Sequence, residues 1–244
     1  MPSAYTTRVC PVDSLSPEQI RAMTELYLAL YAGSSPQRFG DDLREKDEAL
    51  LLFHDGELVG FTLIMSYAAT RHAQPVRIVY SGDTVVARPH WGQQALAFAW
   101  LAHIGEIRRQ APSTPLYWFL LVKGHRTFKY LSVFAHDFFP HWQTPQPELQ
   151  ALARQLAAER YGSCFDAARG IVHFPVSQGH LRPELAEATP EELSKPAVRF
   201  FFERNPGFRT GDELVCLCEI EAGNMKPLAA RIFRRALDGG EHAG

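Results

Sequence analysis

The sequence predicts an α/β chain (α+β by stricter usage) with a mixed central sheet flanked by helices. Three observations predict it. Apolar residues recur at helical spacing in some segments and at strand spacing in others. The continuous apolar run Leu116–Val122, LYWFLLV, has strand length and reads as a central strand covered on both faces. Asp55-Gly56 joins two strand-like runs, and both residues tolerate the positive φ that closes a tight antiparallel hairpin.

Taken in order, residues 6–12 alternate weakly as a first strand. Ser16-Pro17-Glu18-Gln19 then supplies an N-cap, a proline at the first helical position and a capping-box partner. Ile20, Met23, Tyr27, Leu30 and Tyr31 continue that helix to about Ala32, and Ser35-Pro36 opens a shorter one with Phe39 and Leu43. Strands follow at 49–54, 57–66 and 76–87. A helix is expected over 91–109, with Leu96, Trp100, Ile104 and Ile107 on one stripe, and another runs from His125 to the stop at Pro140. Beyond Trp142 the pattern gives a helix at 147–161 and a short strand at 170–175. A polar, acidic surface excursion at 183–195, a strand at 213–220 and an amphipathic helix at 224–237 complete it.

With 46% hydrophobic residues in 244, the chain can bury one large core without disulfides. The division expected is a core at 1–142, with 143–244 adding the remaining strands and a C-terminal elaboration of the same domain. Cys10, Cys164, Cys216 and Cys218 are sparse and irregularly spaced, as in a reducing cytoplasm. MPSAYTTRVC lacks a basic head followed by an apolar stretch, and no run approaches the ~18 apolar residues of a membrane span. A net charge of −2 removes the electrostatic footprint of a nucleic-acid binder, and Arg231, Arg234 and Arg235 read as a solvated stripe. The expected partner is a small-molecule acceptor, with no nucleic acid and no membrane; association into homo-oligomers stays open.

One segment points to a ligand. In YSGDTVVARPHWGQQALAFAW a β-rich run ends, turns at Gly92 and becomes an apolar helix. The first turn of a helix has unpaired N–H groups and the positive end of the macrodipole, so a phosphate can dock there without a basic side chain.

This order of elements, over about residues 5–142, resembles the acyl-CoA N-acyltransferase superfamily, the GCN5-related N-acetyltransferases. VVARPHWGQQALA resembles the family's pyrophosphate loop. The resemblance implies that Val85, Val86, Ala87, Trp91, Gly92, Gln93, Gln94, Ala95 and Leu96 hold coenzyme A, with acetyl-CoA or another acyl-CoA as co-substrate. Trp91 stands where a basic or glutamine side chain is common, and Gln94 and Leu96 replace the usual glycines. LYWFLLVKG followed by HRTFKYLSVFAHDFF is similar to the family's diverging strand and next helix. KGHRTFKYL is similar to a divergent bacterial branch. Phe134 stands where many members carry a proton-donating tyrosine, and Tyr130 lies one turn earlier.

Acyl transfer from a thioester needs a base, donors for the oxyanion and a proton for the thiolate. Asp83, which interrupts an apolar strand, is the first candidate base, and His125, at the start of a helix, the second. Tyr130 is the candidate acid. Tyr80, on the opposite strand face from Asp83 by alternation, and Arg126 are candidates for binding substrate. Phe200, Phe201 and Phe202 either wall a pocket or close the core. No metal is expected, because the histidines and cysteines lack zinc-site spacing. Serine-hydrolase and P-loop motifs are also missing. Two rival readings are a catalytically silent binding or interaction protein on the same scaffold, and a transferase using a long-chain or carrier-protein thioester.

Overall fold

The computed structural model describes residues 5–239. Its N-terminal half runs β1 (Tyr5–Pro11), α1 (Pro17–Leu30), β2 (Tyr31–Ala32), α2 (Pro36–Arg44), β3 (Glu48–His54), β4 (Glu57–Arg71), β5 (Gln74–Val86), α3 (Ala95–Gln110), β6 (Leu116–Val122) and α4 (His125–Phe134). The remainder runs α5 (Pro147–Tyr161), β7 (Phe165–Asp166), β8 (Ile171–Val172), β9 (His180–Leu181), α6 (Pro183–Ala186), α7 (Pro190–Leu193), α8 (Pro196–Arg204), β10 (Glu213–Glu219) and α9 (Pro227–Leu237).

Eight strands form one sheet in the order β1-β3-β4-β5-β6-β10-β8-β7, and β2 pairs with β9 apart from it. Every pairing in the large sheet is antiparallel except β5 with β6. This is the expected mixed central sheet flanked by helices, and β10, β8 and β7 extend it past β6.

Strand alternation sorts the core into two layers. Leu50, Leu52, Val79, Trp118 and Leu120 pack against α3, α4 and α9, whereas Leu51, Phe61 and Leu63 pack against α1 and α2. Ile78, Phe119, Val215 and Leu217 meet α5. The expected capping box forms, with Gln19 N–H donating to Ser16 Oγ at 3.3 Å and Ser16 N–H to Gln19 Oε1 at 3.0 Å. Helix α3 lies so close to α9 that a Cβ on Gly105 would sit 2.7 Å from the Phe233 carbonyl.

Several boundaries differ from the sequence expectation for identifiable reasons. β4 and β5 form a longer hairpin than expected, closed by His72 and Ala73 at φ 50° and 61° instead of by glycine. Helix α3 starts at Ala95 instead of Trp91, because a 3-10 turn at Arg88–His90 and Gly92 at φ 90° fill the interval with loop. α4 ends at Phe134 instead of reaching Pro140, since Ala135 and Phe139 turn outward to bridge Met225 and Leu217. The excursion at 183–195 holds two short helices, the second closed by a capping box on Thr189 and Glu192.

Candidate functional site

β5 and β6 run parallel only from Arg77 opposite Leu116 to Tyr80 opposite Phe119, after which they splay. A bulge in β5 helps them apart. Leu63 pairs with Gly82 and Phe61 with Val85, so Asp83 and Thr84 together face the single residue Thr62. Asp83 takes the extra place at φ 46°, in the left-handed region that aspartate tolerates better than most residues. The bulge also corrects the expected alternation. Tyr80 and Asp83 line the same cavity, because one inserted residue returns the second side chain to the first one's face.

Two cavities meet at this splay and share Tyr31, Thr84, Gly124 and Thr127. The first, about 550 Å³, lies between the start of α3 and the side of α4. Val86 and residues 91–94 line it from one side, and His125, Arg126 and Tyr130 from the other. Residues beyond 142 complete its wall through Leu181, Leu185, Glu192 and Val198, so the C-terminal part helps to build the site. Under the splay a pocket of about 40 Å³ is lined by Thr62, Ser81, Trp118 and Tyr130 among others.

The loop before α3 leaves the first cavity open. A Cβ on Gly92 would meet nothing within 4 Å. Trp91 is held aside, its Nε1–H donating to the Val86 carbonyl at 2.7 Å while the Arg126 guanidinium lies 5.2 Å from its ring centroid. Gln94 caps α3 without a side-chain hydrogen bond, and Leu96 N–H donates to Gln93 Oε1 at 3.2 Å. Swinging Gln93 away would free that amide for a ligand. Of the residues expected to hold the cofactor, Val86 and Trp91 to Gln94 line this cavity directly, and Leu96 lines the smaller pocket beneath it. Val85 is buried among α1 and α2 side chains, Ala95 packs against the main core, and the Ala87 N–H is committed to the Val59 carbonyl at 2.8 Å.

His125 and Arg126 belong to the wall of this first cavity. His125 is buried, with Nε2 3.5 Å from Glu192 Oε1 and Nδ1 without a hydrogen-bond partner. Burial and the neighbouring Arg126 charge outweigh Glu192 and hold its pKa below the usual histidine range. Arg126 donates to the Leu185 carbonyl at 2.6 Å and to Glu192 at 3.4 Å. It lines the first cavity, whereas Tyr80 lines the second. Burial alone raises the Tyr130 phenol, which lines both the first cavity and the small pocket.

The second cavity, about 990 Å³, opens on the face covered by α1 and α2. Its charged side chains come from α2, β5, α5 and β10 and from the residues just after α2 and β6. Burial pushes the Asp83 carboxyl well above the ordinary aspartate range, and the hydrogen bond it donates to the adjacent Asp42 carboxylate and that group's charge push it further, against Lys123 and Lys46. Asp42 moves the opposite way. Burial would raise it, but Asp83 and the Lys46 ammonium, 2.6 Å away, outweigh burial. The two carboxyls thus share a proton that resides on Asp83. Lys123 stays charged against its burial because Glu213, at 3.4 Å, and neighbouring tyrosines favour the cation. Burial raises Tyr80, and Arg160 lies 5.4 Å from that ring's centroid.

Sequence reasoning missed Asp42, Lys46, Lys123, Arg160 and Glu213. Lys123 and Glu213 carried a signal, since each places a charge at the end of an apolar strand. The three aromatic residues at the end of α8 separate: Phe201 closes the core, while Phe200 and Phe202 are partly buried against it, and none lines either large cavity. Among the described residues no group of three or more His, Cys, Asp or Glu side chains could hold a metal ion, and no helix is long and apolar enough to cross a membrane.

No protein-family model matches the chain, and no curated protein does. Among solved structures it is similar to a probable N-acyltransferase of unknown function from Enterococcus faecalis V583, at 14% identity and a TM-score of 0.41 over 55% of this chain and 33% of that one. It is also similar to an acyl-CoA N-acyltransferase from Pseudomonas aeruginosa, at 18% and 0.39 over 55% of this chain and 90% of the other. A third is a GNAT family N-acetyltransferase from Escherichia coli in complex with CoA, at 16% and 0.39 over 54% and 69%. The chain spans only a third of the length of the first of these.

Proposed function

We propose that this chain moves an acyl group from the thioester of an acyl-CoA, acetyl-CoA being the simplest donor, to an amine of a small molecule. The observation that carries the reading is the meeting of two cavities at a strand splay, with the Asp83 carboxyl on the second cavity next in sequence to Thr84, which both cavities share.

The first cavity fits a pantetheine thioester, and the open Gly92 turn with the first amides of α3 suits its phosphates. An acceptor amine reaches the splay from the second cavity. In its ionised form Asp83 accepts a proton from the ammonium, and the free amine nitrogen attacks the thioester carbonyl carbon. Unpaired backbone N–H groups along the splayed end of β5 stabilise the developing oxyanion. The new C–N bond forms as the C–S bond breaks, the nitrogen passes its second proton to water, and the departing sulfur takes a proton from the Tyr130 phenol, which water then reprotonates.

A hydroxyl acceptor would use the same groups, but an ammonium suits the charge of the cavity better. With the Asp83 proton in place, the carboxylates of Asp41, Asp42, Glu45 and Glu213 on the lining already outweigh the cations Arg38, Lys123 and Arg160, with Lys46 paired to Asp42 beside the cavity. When Asp83 ionises, the cavity gains one negative charge, which a cation can offset.

Calorimetric titration with coenzyme A, followed by thiol release from acetyl-CoA across an amine panel, tests the reading. Binding together with amine-dependent thiol release is the expected result. Binding without release on any amine would instead support a silent ligand-binding protein, the reading favoured by Gln93 occupying the Leu96 amide and by Phe134 at the family's tyrosine position. Native mass spectrometry of freshly purified protein would show a retained coenzyme A mass directly.

A further inference from the structure

We infer that the acceptor is an amino acid, a small molecule carrying a carboxylate as well as the amine that is acylated; this rests on the acyl-transfer reading of the second cavity.

The cavity has two chemically distinct ends on one helix. Asp42 and Arg38 both line it and lie four residues apart on α2, about 6 Å along the axis and on the same face. At the Asp42 end, the carboxyl pair with Asp83 collects an ammonium beside the splay. At the Arg38 end stands a guanidinium whose partner is unlike those of the cations in and beside the cavity. Lys46 faces Asp42 at 2.6 Å, Lys123 faces Glu213 at 3.4 Å and Arg160 faces Glu45 at 3.1 Å. Arg38 instead donates at 2.5 Å to Gln178 Oε1, a neutral amide.

That amide is fixed from behind, since Gln178 Nε2–H donates to the Val176 carbonyl at 3.0 Å. The guanidinium is thus positioned by a group that leaves its charge available. An arginine carries five donors in a planar fork, so one bond to an amide leaves donors for a bidentate carboxylate. A zwitterion fits both ends at once, placing its ammonium at Asp42 and Asp83 and its carboxylate at Arg38. A simple amine would leave the guanidinium facing water. Aromatic rings share the lining, with Tyr27 and Tyr31 stacked at 4.6 Å and Tyr80 and Phe174 also on it. An apolar or aromatic side chain has surface to cover there.

Amino acids and the amines left when their carboxylate is removed make a direct test: phenylalanine with phenethylamine, tyrosine with tyramine, histidine with histamine, and lysine with 1,5-diaminopentane. Thiol release from acetyl-CoA gives kcat and KM for each, and calorimetry on the coenzyme A complex gives binding without turnover. For the pair bound best, the amino acid should have a KM about 10- to 100-fold below that of its amine, the range of a charge-assisted hydrogen bond. Arg38→Gln should bring the amino acid to the level of its amine, and Arg38→Lys should recover part of the preference. The paired comparison in the unsubstituted protein decides the matter even if a variant fails to fold. An amine equal to or better than its amino acid in every pair, or a coenzyme A complex that binds no member of any pair, would overturn the inference. Amino acids bound in preference to amines without any thiol release would overturn acyl transfer and leave the two-ended site standing.

Discussion

Replacing either member of the carboxyl pair separates the base from the group that tunes it. Asp83 holds its proton above the ordinary aspartate range, first through burial and then through the Asp42 hydrogen bond and charge. A base must be ionised to act, so kcat/KM should rise with pH through that elevated range and flatten above it. Asp83→Asn removes the base, which is worth about 10²- to 10⁴-fold in rate, and with it the pH-dependent limb. Asp42→Asn leaves the base in place but removes a carboxyl that raises it, so the limb should move to lower pH. It should not fall to that of a free aspartate, because burial, the largest cause, persists. The two variants also differ in stability. A carboxyl whose folded pKa lies above its unfolded value binds its proton more tightly when native, so it destabilises the fold as pH rises from the unfolded value towards the folded one. Asp83→Asn should therefore stabilise the protein against denaturant above that range while nearly abolishing turnover. Rate profiles of thiol release from about pH 5 to 10 and urea unfolding at both ends of that window supply the measurements. A full rate in Asp83→Asn, or a limb displaced upward in Asp42→Asn, would refute the assignment.

Three further outcomes follow from the same geometry. Tyr130→Phe should lower kcat by at least about tenfold with little change in the KM for acyl-CoA, since the phenol acts on the departing sulfur; an unaltered kcat assigns that proton to water. Gly105→Ala places a Cβ 2.7 Å from the Phe233 carbonyl and 2.8 Å from Ala236 Cβ, so about 1–3 kcal/mol of overpacking should outweigh about 1 kcal/mol of helix propensity and lower Tm by a few degrees. Burial would lower the pKa of His103, but Glu48 at 2.7 Å and Glu106 at 3.4 Å raise it instead. Its stabilising share is therefore full below the unfolded histidine value and lost as pH rises through the higher folded one. Glu48→Gln should cost more stability at pH 6 than at pH 9, as denaturant midpoints would show.

Local signals in this chain were legible wherever chemistry and geometry coincide within a few residues. Ser16-Pro17 and Ser35-Pro36 announced helix starts, Asp55-Gly56 announced a hairpin, and LYWFLLV announced the strand at the centre of the sheet. Where the signal was missing, so was the prediction. His72-Ala73 closes a hairpin without glycine, and the interval 87–94 has no residue that forbids continuing a helix back to Trp91 except Gly92. The ionisable cluster was illegible for another reason. Its members come from α2, β5, α5 and β10 and from the residues just after α2 and β6, and nothing local to Lys46 or Arg160 states which distant side chain each will face.

Asp83 was picked out as a charge in an apolar strand, yet its position depends on a feature that alternation cannot express. In a regular strand, Tyr80 and a side chain three residues on point to opposite faces, and Asp83 would have faced the α3 layer, where an unpaired carboxyl is costly. The bulge inserts one residue, turns Asp83 towards α2 and brings it against Asp42. The same insertion lies beyond Tyr80, the last residue of β5 paired with β6, and so falls where the strands open. A sequence change that removed the extra residue would re-register β5 on β4 and return residue 83 to the other face. The carboxyl facing Asp42 and the opening between β5 and β6 would then be lost together, because one local irregularity in the backbone supports both.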